Sequence, residues 1–265
     1  MMVNKSSSLA STKNKAQKQE RDNKVSSPKN SSSSNLKADN TSKTQLKTSQ
    51  NSESNSIFQA IGVLEGLVAV KNEEQLTITI EGQTYRLGYT AKSKQRYKAL
   101  VEKIASQGSS IKKLSVYPQI NHNKGQEGYE INFNLVTVAN TEEARTSIFQ
   151  DLEPGEFYLS GFWQYVLFCK SSVIAVLRNY SEKLAQTVER VGSKRAKKIL
   201  KPNYIPVDSA DSSVDAFKYD PDLEKKQQMP RYFVRVKAKF QPEKNYFEAI
   251  AQVGESTTQA PKYLK

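Results

Sequence analysis

The sequence predicts a mainly β protein with two helices, in which two small barrel-like modules follow a disordered N-terminal arm. Residues 1–55 contain no aromatic residue and consist largely of Ser, Lys, Asn, Thr and Gln, a composition that buries too little apolar surface to fold. Several later segments alternate apolar and polar residues with the period of a β-strand. The long apolar segments 57–70 and 157–169 contain interior glycines, which are typical of strands that bend sharply.

The predicted first module spans residues 56–140 and contains five strands and one helix. The strand-like segments are 57–70, 76–80, 83–89, 113–118 and 129–136. A helix is predicted over 92–106 because Tyr97, Leu100, Val101 and Ile104 recur at the spacing of one helical face. Ser93 is a candidate N-cap, and Gly108 is expected to end this helix.

This order of elements resembles the OB-fold, a five-stranded Greek-key barrel. The resemblance covers about residues 57–139, and it consists of the element order and the long, glycine-bent first strand rather than a sequence motif. It implies a barrel that binds single-stranded nucleic acid or oligosaccharides. Another small β-barrel is the alternative that the pattern leaves open.

The predicted second module spans residues 153–265 and is interpreted as a second OB-like barrel with an altered middle. Its strand-like segments are 157–169, 173–180, 231–240 and 246–253. Ser181 is placed to cap a basic helix that runs to about residue 201, and the stretch of about 201–230 is interpreted as an acidic, polar insertion. No third strand is evident before the helix. The barrel therefore either closes in an unusual way, or both modules form one continuous sheet system.

The charge of the chain indicates a polyanionic partner. Forty Lys and Arg residues against 27 Asp and Glu give a formal net charge of +13, which favours nucleic acid, an anionic surface or an acidic protein as partner. Lysines of the arm 1–55 are expected either to add salt-sensitive affinity for phosphates or to solubilise the chain.

Known catalytic and cofactor-binding patterns are missing from the sequence, so we predict a protein without enzymatic activity, catalytic residue or cofactor. One Cys and one His are too few ligands for a structural zinc site. A single cysteine favours a reducing compartment, and neither a signal peptide nor an uninterrupted apolar span is evident. We therefore expect a cytoplasmic protein with no membrane partner. The sequence defines no oligomeric state.

Residues 231–240 form the clearest candidate binding surface. Because successive side chains of a strand point to opposite faces, the outer face of this strand is expected to contain Arg231, Phe233, Arg235, Lys237 and Lys239. Cations beside an aromatic ring suit a groove that holds phosphates and stacks bases. The alternative is an ordinary polar outer face, in which lysines protect a sheet edge.

Further candidate residues lie in three other stretches. The stretch 85–98 contributes Arg86, Lys94 and Arg96. The stretch 192–201 contributes Lys194, Arg195, Lys197 and Lys198. The aromatic strand 157–169 contributes Tyr158 and Phe162 as stacking rings. For the cations, the structural alternative is a solvated helix end. For the aromatic residues, the alternative is packing in the core.

The sequence therefore predicts a sequence-tolerant protein that binds single-stranded RNA or DNA, with RNA slightly favoured. The alternative is a protein-interaction scaffold, or an assembly factor of the ribosome or another complex. Such a protein would use the strand 157–169 as its interface, because that strand is apolar on both faces. Packing of this strand between the two modules explains the same pattern.

Overall fold

The computed structural model describes residues 56–72, 74–122, 128–139, 148–209 and 213–264. The predicted disordered basic arm, residues 1–55, lies outside the described residues. The strands of the described part are β1 (Gln59–Asn72), β2 (Gln75–Ile80), β3 (Gln83–Tyr89), β4 (Ser110–His122), β5 (Tyr129–Val138), β6 (Glu156–Val166), β7 (Ser171–Val176), β8 (Asn203–Asp208), β9 (Phe233–Gln241) and β10 (Tyr246–Gln252). The helices are α1 (Lys94–Gln107), α2 (Ile148–Asp151), α3 (Glu182–Arg190) and α4 (Gly192–Leu200). The mainly β fold class is thus confirmed.

The first five strands close into a barrel. Their order is β1-β2-β3-β5-β4, and β4 returns to pair with β1. The β3–β5 pair is parallel, and the other pairs are antiparallel. Helix α1 lies between β3 and β4 in the chain and buries Tyr97, Leu100 and Ile104, as the helical spacing predicted. This closed barrel is compatible with the OB-like order of elements.

Strand β1 pairs with two strands at once next to a glycine. Leu67 and Val68 pair with both β2 and β4. A Cβ atom on Gly66 would overlap the carbonyl oxygen of Thr79 on β2. Only a residue without a side chain allows β2 this close. The interior glycine predicted as a bend thus marks a close contact between β1 and β2.

A second ring of five strands follows, in the order β6-β7-β8-β10-β9, and the β6–β9 pairing closes it. Its third strand, β8, comes after the helices and lies within the segment that we interpreted as an insertion. The prediction missed β8 because it contains Pro206, which pairs with Val173 of β7. Proline is unusual in a paired strand since it donates no ladder hydrogen bond.

The predicted single basic helix is two helices in the structure. Ser181 caps α3 as predicted, since its hydroxyl accepts a hydrogen bond from the backbone N–H of Leu184 at 3.2 Å. Gly192 has a φ of 72°, a left-handed conformation that suits glycine and separates α3 from α4. Neither helix buries a residue. Together with the short α2, this break explains why the described part has four helices rather than two.

The two barrels share a core. Gln59–Gly62 of β1 pair antiparallel with Phe157–Ser160 of β6, so all ten strands form one continuous sheet system. Tyr85 of the first barrel meets the ring of Phe240 of the second at 5.4 Å, and its hydroxyl lies 3.1 Å from the carbonyl oxygen of Pro242. Burial raises the pKa of Tyr85 to about 12. Strand β6 thus lies between β1 and β9, whereas Leu167 and Phe168 of the aromatic segment 157–169 are exposed.

Candidate nucleic-acid interface

The stacking platform predicted on β9 is not exposed, and this prediction was wrong. Phe233 is 1 % exposed and Phe162 is 6 % exposed. Both rings pack against Phe58, at centroid distances of 5.1 and 5.5 Å, and Tyr263 lies against Phe58 and Phe162. The covering residues come from both ends of the described chain, so strand alternation around residue 233 could not reveal them.

The cations predicted on the same face of β9 have intramolecular partners. The Lys237 ammonium lies 2.7 Å from a carboxylate oxygen of Glu156. The Arg231 guanidinium lies 4.6 Å from the ring centroid of Phe217 and 5.4 Å from that of Phe162. We expected a face of one charge sign, but the neighbouring strand β6 brings an acidic residue to it.

The other candidates of this face differ in exposure. Lys239 is exposed, and Arg235 is half-buried. Tyr158 is half-buried and pairs with Lys237 across the β6–β9 ladder, so both side chains lie on the outer face. The β9 face is therefore a partly neutralised basic surface with one accessible aromatic ring.

The basic patch on α4 is exposed as a whole. Its cations are Lys194, Arg195, Lys197 and Lys198, all of which are exposed. The first turn of α4 carries no acidic residue, and Lys197 and Lys198 lie in its last turn. Cations at this end of a helix stabilise it through the helix dipole, and they are also available for phosphates.

A groove of about 780 Å³ opens on the first barrel. It lies where β3 meets β5, next to the connection between β1 and β2 and the end of β4. Six of its lining residues carry a carboxamide, namely Asn72, Gln75, Gln119, Asn121, Asn132 and Asn134. We call this site the amide groove. Its other lining residues are Glu74, Arg86, Leu87, Gly88, Tyr89, Tyr97 and Phe133.

The amide groove contains an accessible aromatic ring on a rigid support. Tyr89 is 47 % exposed, and its ring centroid lies 4.7 Å from that of the buried Tyr97. The Tyr97 hydroxyl accepts a hydrogen bond from the Leu76 backbone N–H at 2.9 Å and lies 3.0 Å from the carbonyl oxygen of Leu87. Burial raises the pKa of Tyr97. Tyr97 therefore holds β2, β3 and the Tyr89 ring in place.

The carboxamides of the amide groove are only partly paired with one another. The Asn134 amide donates a hydrogen bond to the Gln119 side-chain oxygen at 2.9 Å. Asn132 is 8 % exposed, and its Oδ1 atom accepts no hydrogen bond from the described part of the chain. A Cβ atom on Gly88 would lie 2.7 Å from Oδ1 of Asn134, so a side chain at this position would displace Asn134.

The candidates from the stretch 85–98 divide between the groove and α1. Arg86 is exposed and lines the amide groove. Lys94 and Arg96 are exposed on the first turns of α1, beside Tyr97 in the chain. The β9 face, the α4 patch and the amide groove thus lie on three different parts of the fold.

Sequence analysis missed the carboxamides, although a signal for them existed. The alternation that placed Ile131 and Phe133 toward the core also placed Asn132 and Asn134 on the opposite face. The predicted binding residues were cations and aromatic rings, whereas these carboxamides carry no charge. Their convergence with Gln119 depends on the β4–β5 pairing.

Sequence analysis also missed a contact between the single histidine and the single cysteine, which lie 47 residues apart. His122 Nε2 donates to the Tyr204 carbonyl oxygen at 3.1 Å, which leaves Nδ1 to accept from the Cys169 thiol at 3.3 Å. Burial lowers the pKa of His122 and raises the pKa of Cys169 to about 11. The thiol therefore stays protonated at neutral pH and is a poor nucleophile.

The described ranges contain no cluster of three or more His, Cys, Asp or Glu side chains that could hold a metal ion. None of the helices within these ranges is long and apolar enough to cross a membrane. Comparison with known proteins found no matching family model, no similar curated protein and no similar solved structure.

Proposed function

We propose that this chain is a non-enzymatic protein that binds single-stranded nucleic acid, with RNA slightly favoured over DNA, and that the amide groove is its main site. The observation that carries the proposal is the combination of the accessible Tyr89 ring, the Arg86 cation and six carboxamides in one groove. Aromatic rings stack on bases, cations hold phosphates, and carboxamides form hydrogen bonds with base edges.

The barrel order and the charge support the same proposal. Barrels with the OB-fold order of elements commonly bind single strands or oligosaccharides, and a net charge of +13 favours the ligand that carries phosphates. The exposed cations of α4 and Lys239 provide further phosphate contacts, which make the affinity sensitive to salt. The single cysteine fits a reducing compartment, so we place this activity in the cytoplasm.

The proposal is tested by fluorescence anisotropy of the full chain with labelled single-stranded RNA, single-stranded DNA and duplex at two salt concentrations. We expect both single strands to bind more tightly than duplex, with affinity falling as salt rises. Tyr89→Leu should weaken binding about 5- to 150-fold, because stacking of one base contributes about 1–3 kcal/mol. Arg86→Gln should make the salt dependence less steep.

The matched control is Tyr219→Leu, which removes a tyrosine that is 65 % exposed and lies outside the amide groove. This variant should bind as the unaltered chain does. Absence of binding at low salt would refute the proposed function. If Tyr89→Leu and Tyr219→Leu bind with equal affinity, the amide groove is not the binding site.

A protein-interaction scaffold is the second candidate, and the α3–α4 pair favours it. Both helices are amphipathic, yet neither buries a residue, so their apolar side chains are available to a partner protein. The strand 157–169, the interface first expected for a scaffold, lies in part between the barrels, and Leu167 and Phe168 at its end are exposed. A partner that stays bound at high salt after nuclease treatment, and is lost with Val188→Glu while RNA binding is kept, would support the scaffold.

A further inference from the structure

We infer that the amide groove holds one unstacked base of the bound strand and recognises its polar edge through Asn132. The protein then prefers bases with an exocyclic amino group at this one position. The inference rests on the proposed function, and it names the part of the strand that enters the groove.

The unpaired acceptor of Asn132 is the first reason. This side chain is 8 % exposed, and its Oδ1 atom accepts no hydrogen bond from the described part of the chain. A buried acceptor without a donor is unfavourable for the folded protein. A ligand N–H that reaches Oδ1 through a small rotation of the carboxamide removes this penalty. Phosphate oxygens cannot do so, because they carry no donor.

The distribution of charge in the groove is the second reason. Of its thirteen lining residues, only Glu74 and Arg86 are charged, and both are exposed. The buried lining residues are Asn132, Leu87, Tyr97 and Phe133, so the wall around Asn132 is uncharged. Such a wall suits an uncharged planar group with donors and acceptors, whereas the Arg86 side chain at the rim suits the adjoining phosphate. A base therefore fits the interior, and the backbone of the strand fits the rim.

The shape of the groove is the third reason. Its volume of about 780 Å³ lies in the range typical of sites for small organic groups. The absence of a side chain at Gly88 leaves the position of Asn134 undisturbed. The Tyr89 ring, supported by Tyr97, provides the stacking surface that an extruded base needs.

An acceptor at Asn132 distinguishes among the bases. The amino groups of adenine and cytosine project from the ring edge and can donate to Oδ1. The ring N–H of uracil lies between two carbonyl oxygens, and these would approach the side-chain oxygens of the groove. We therefore expect adenine and cytosine to be preferred over uracil by at least about fivefold.

The experiment is competition binding of the full chain with RNA homopolymers of equal length made of adenine, cytosine or uracil, their DNA counterparts and an abasic strand. We expect the adenine and cytosine strands to bind most tightly and the abasic strand most weakly. Asn132→Leu keeps the side-chain shape and removes both polar groups, so adenine and cytosine should fall to the affinity of uracil. Binding of the uracil strand should change by less than about twofold.

Ser115→Ala is the matched control. Ser115 is buried on β4, its hydroxyl also has no partner in the described part of the chain, and it does not line the amide groove. This variant should leave the order of base preference unchanged. Thermal melts should show both variants folded, because each removes an unpaired buried polar atom rather than an existing bond.

The outcomes separate the two proposals. If no strand binds at low salt, the proposed function fails. If all bases bind equally, or if Asn132→Leu leaves the preference intact, base recognition by Asn132 is overturned while single-strand binding stands. If RNA binds more tightly than DNA without any base preference, the donor to Asn132 is the 2′-hydroxyl, and base recognition is likewise overturned.

Discussion

Glu156 and Lys237 face each other across β6 and β9, where their charged atoms lie 2.7 Å apart. Burial by itself would raise the pKa of Glu156. The hydrogen bond to Lys237, a second one from the backbone N–H of Glu153 and the charge of Lys239 together lower it below its usual value. The same hydrogen bond raises the pKa of Lys237. The pair therefore orders one residue of the β9 face and neutralises part of its positive charge.

Lys237→Met should lower the free energy of unfolding at neutral pH by up to about 1 kcal/mol. A carboxyl group whose pKa is lowered by folding stabilises the protein above its unfolded pKa, and this contribution is lost as pH falls through the folded pKa. Without Lys237, Glu156 loses one of the interactions that lower its pKa, so this contribution becomes smaller. The difference between the two proteins should therefore shrink on acidification.

Urea unfolding from neutral pH into the acid range measures this difference. Lys239→Met, at an exposed position two residues along the same strand, serves as the control and should have a smaller effect. A stability difference that stays constant with pH would show that Lys237 acts through packing of its aliphatic chain and not through Glu156.

At the scale of strands, close approach at glycines decides how the sheet system is connected. Gly62 of β1 lies against the ring of Phe157 of β6, which occupies the space of a Cβ atom. Gly161 of β6 lies in the same way against the backbone of Ala175 on β7. These interior glycines lie where a neighbour packs too closely for a side chain, whereas the sequence analysis interpreted them as bends.

Gly62→Ala should destabilise the protein by about 1–3 kcal/mol, because the new methyl group overlaps a fully buried ring. Chemical denaturation of Gly62→Ala, Phe157→Leu and the double variant tests this explanation. The smaller leucine side chain makes room for the methyl group, so the double variant should lose less stability than the sum of the two single losses. Simple additivity would contradict a steric conflict between these two positions.

At the scale of the whole molecule, the two barrels depend on each other. The β1–β6 ladder and the contact of Tyr85 with Phe240 run through one core that contains residues of both barrels. The described residues all belong to one compact unit. Neither barrel can lose its structure without exposing apolar surface of the other.

We therefore expect the two barrels to unfold in a single cooperative transition. Fluorescence of Trp163, the single tryptophan of the chain, reports on the second barrel. Hydrogen exchange of the β2–β3 amides reports on the first. Both probes should change at the same denaturant concentration, and two separated transitions would show that the barrels are independent domains.

The sequence by itself determined the features that depend on neighbours along the chain. Alternation predicted most of the strands, and helical spacing predicted α1. Local order is readable in this way because burial of one face imposes a period on the residues of a strand or helix. The exception is β8, which was not predicted because it contains a proline and follows the helices.

Tertiary structure alone decided the candidate site. Phe233 is buried by segments from both ends of the described chain, and Lys237 is paired by an acid from another strand. The carboxamides of Gln119, Asn132 and Asn134 meet only because β4 and β5 pair in one register. A site formed across strands depends on which residues the register places side by side, and neither strand read alone specifies that register.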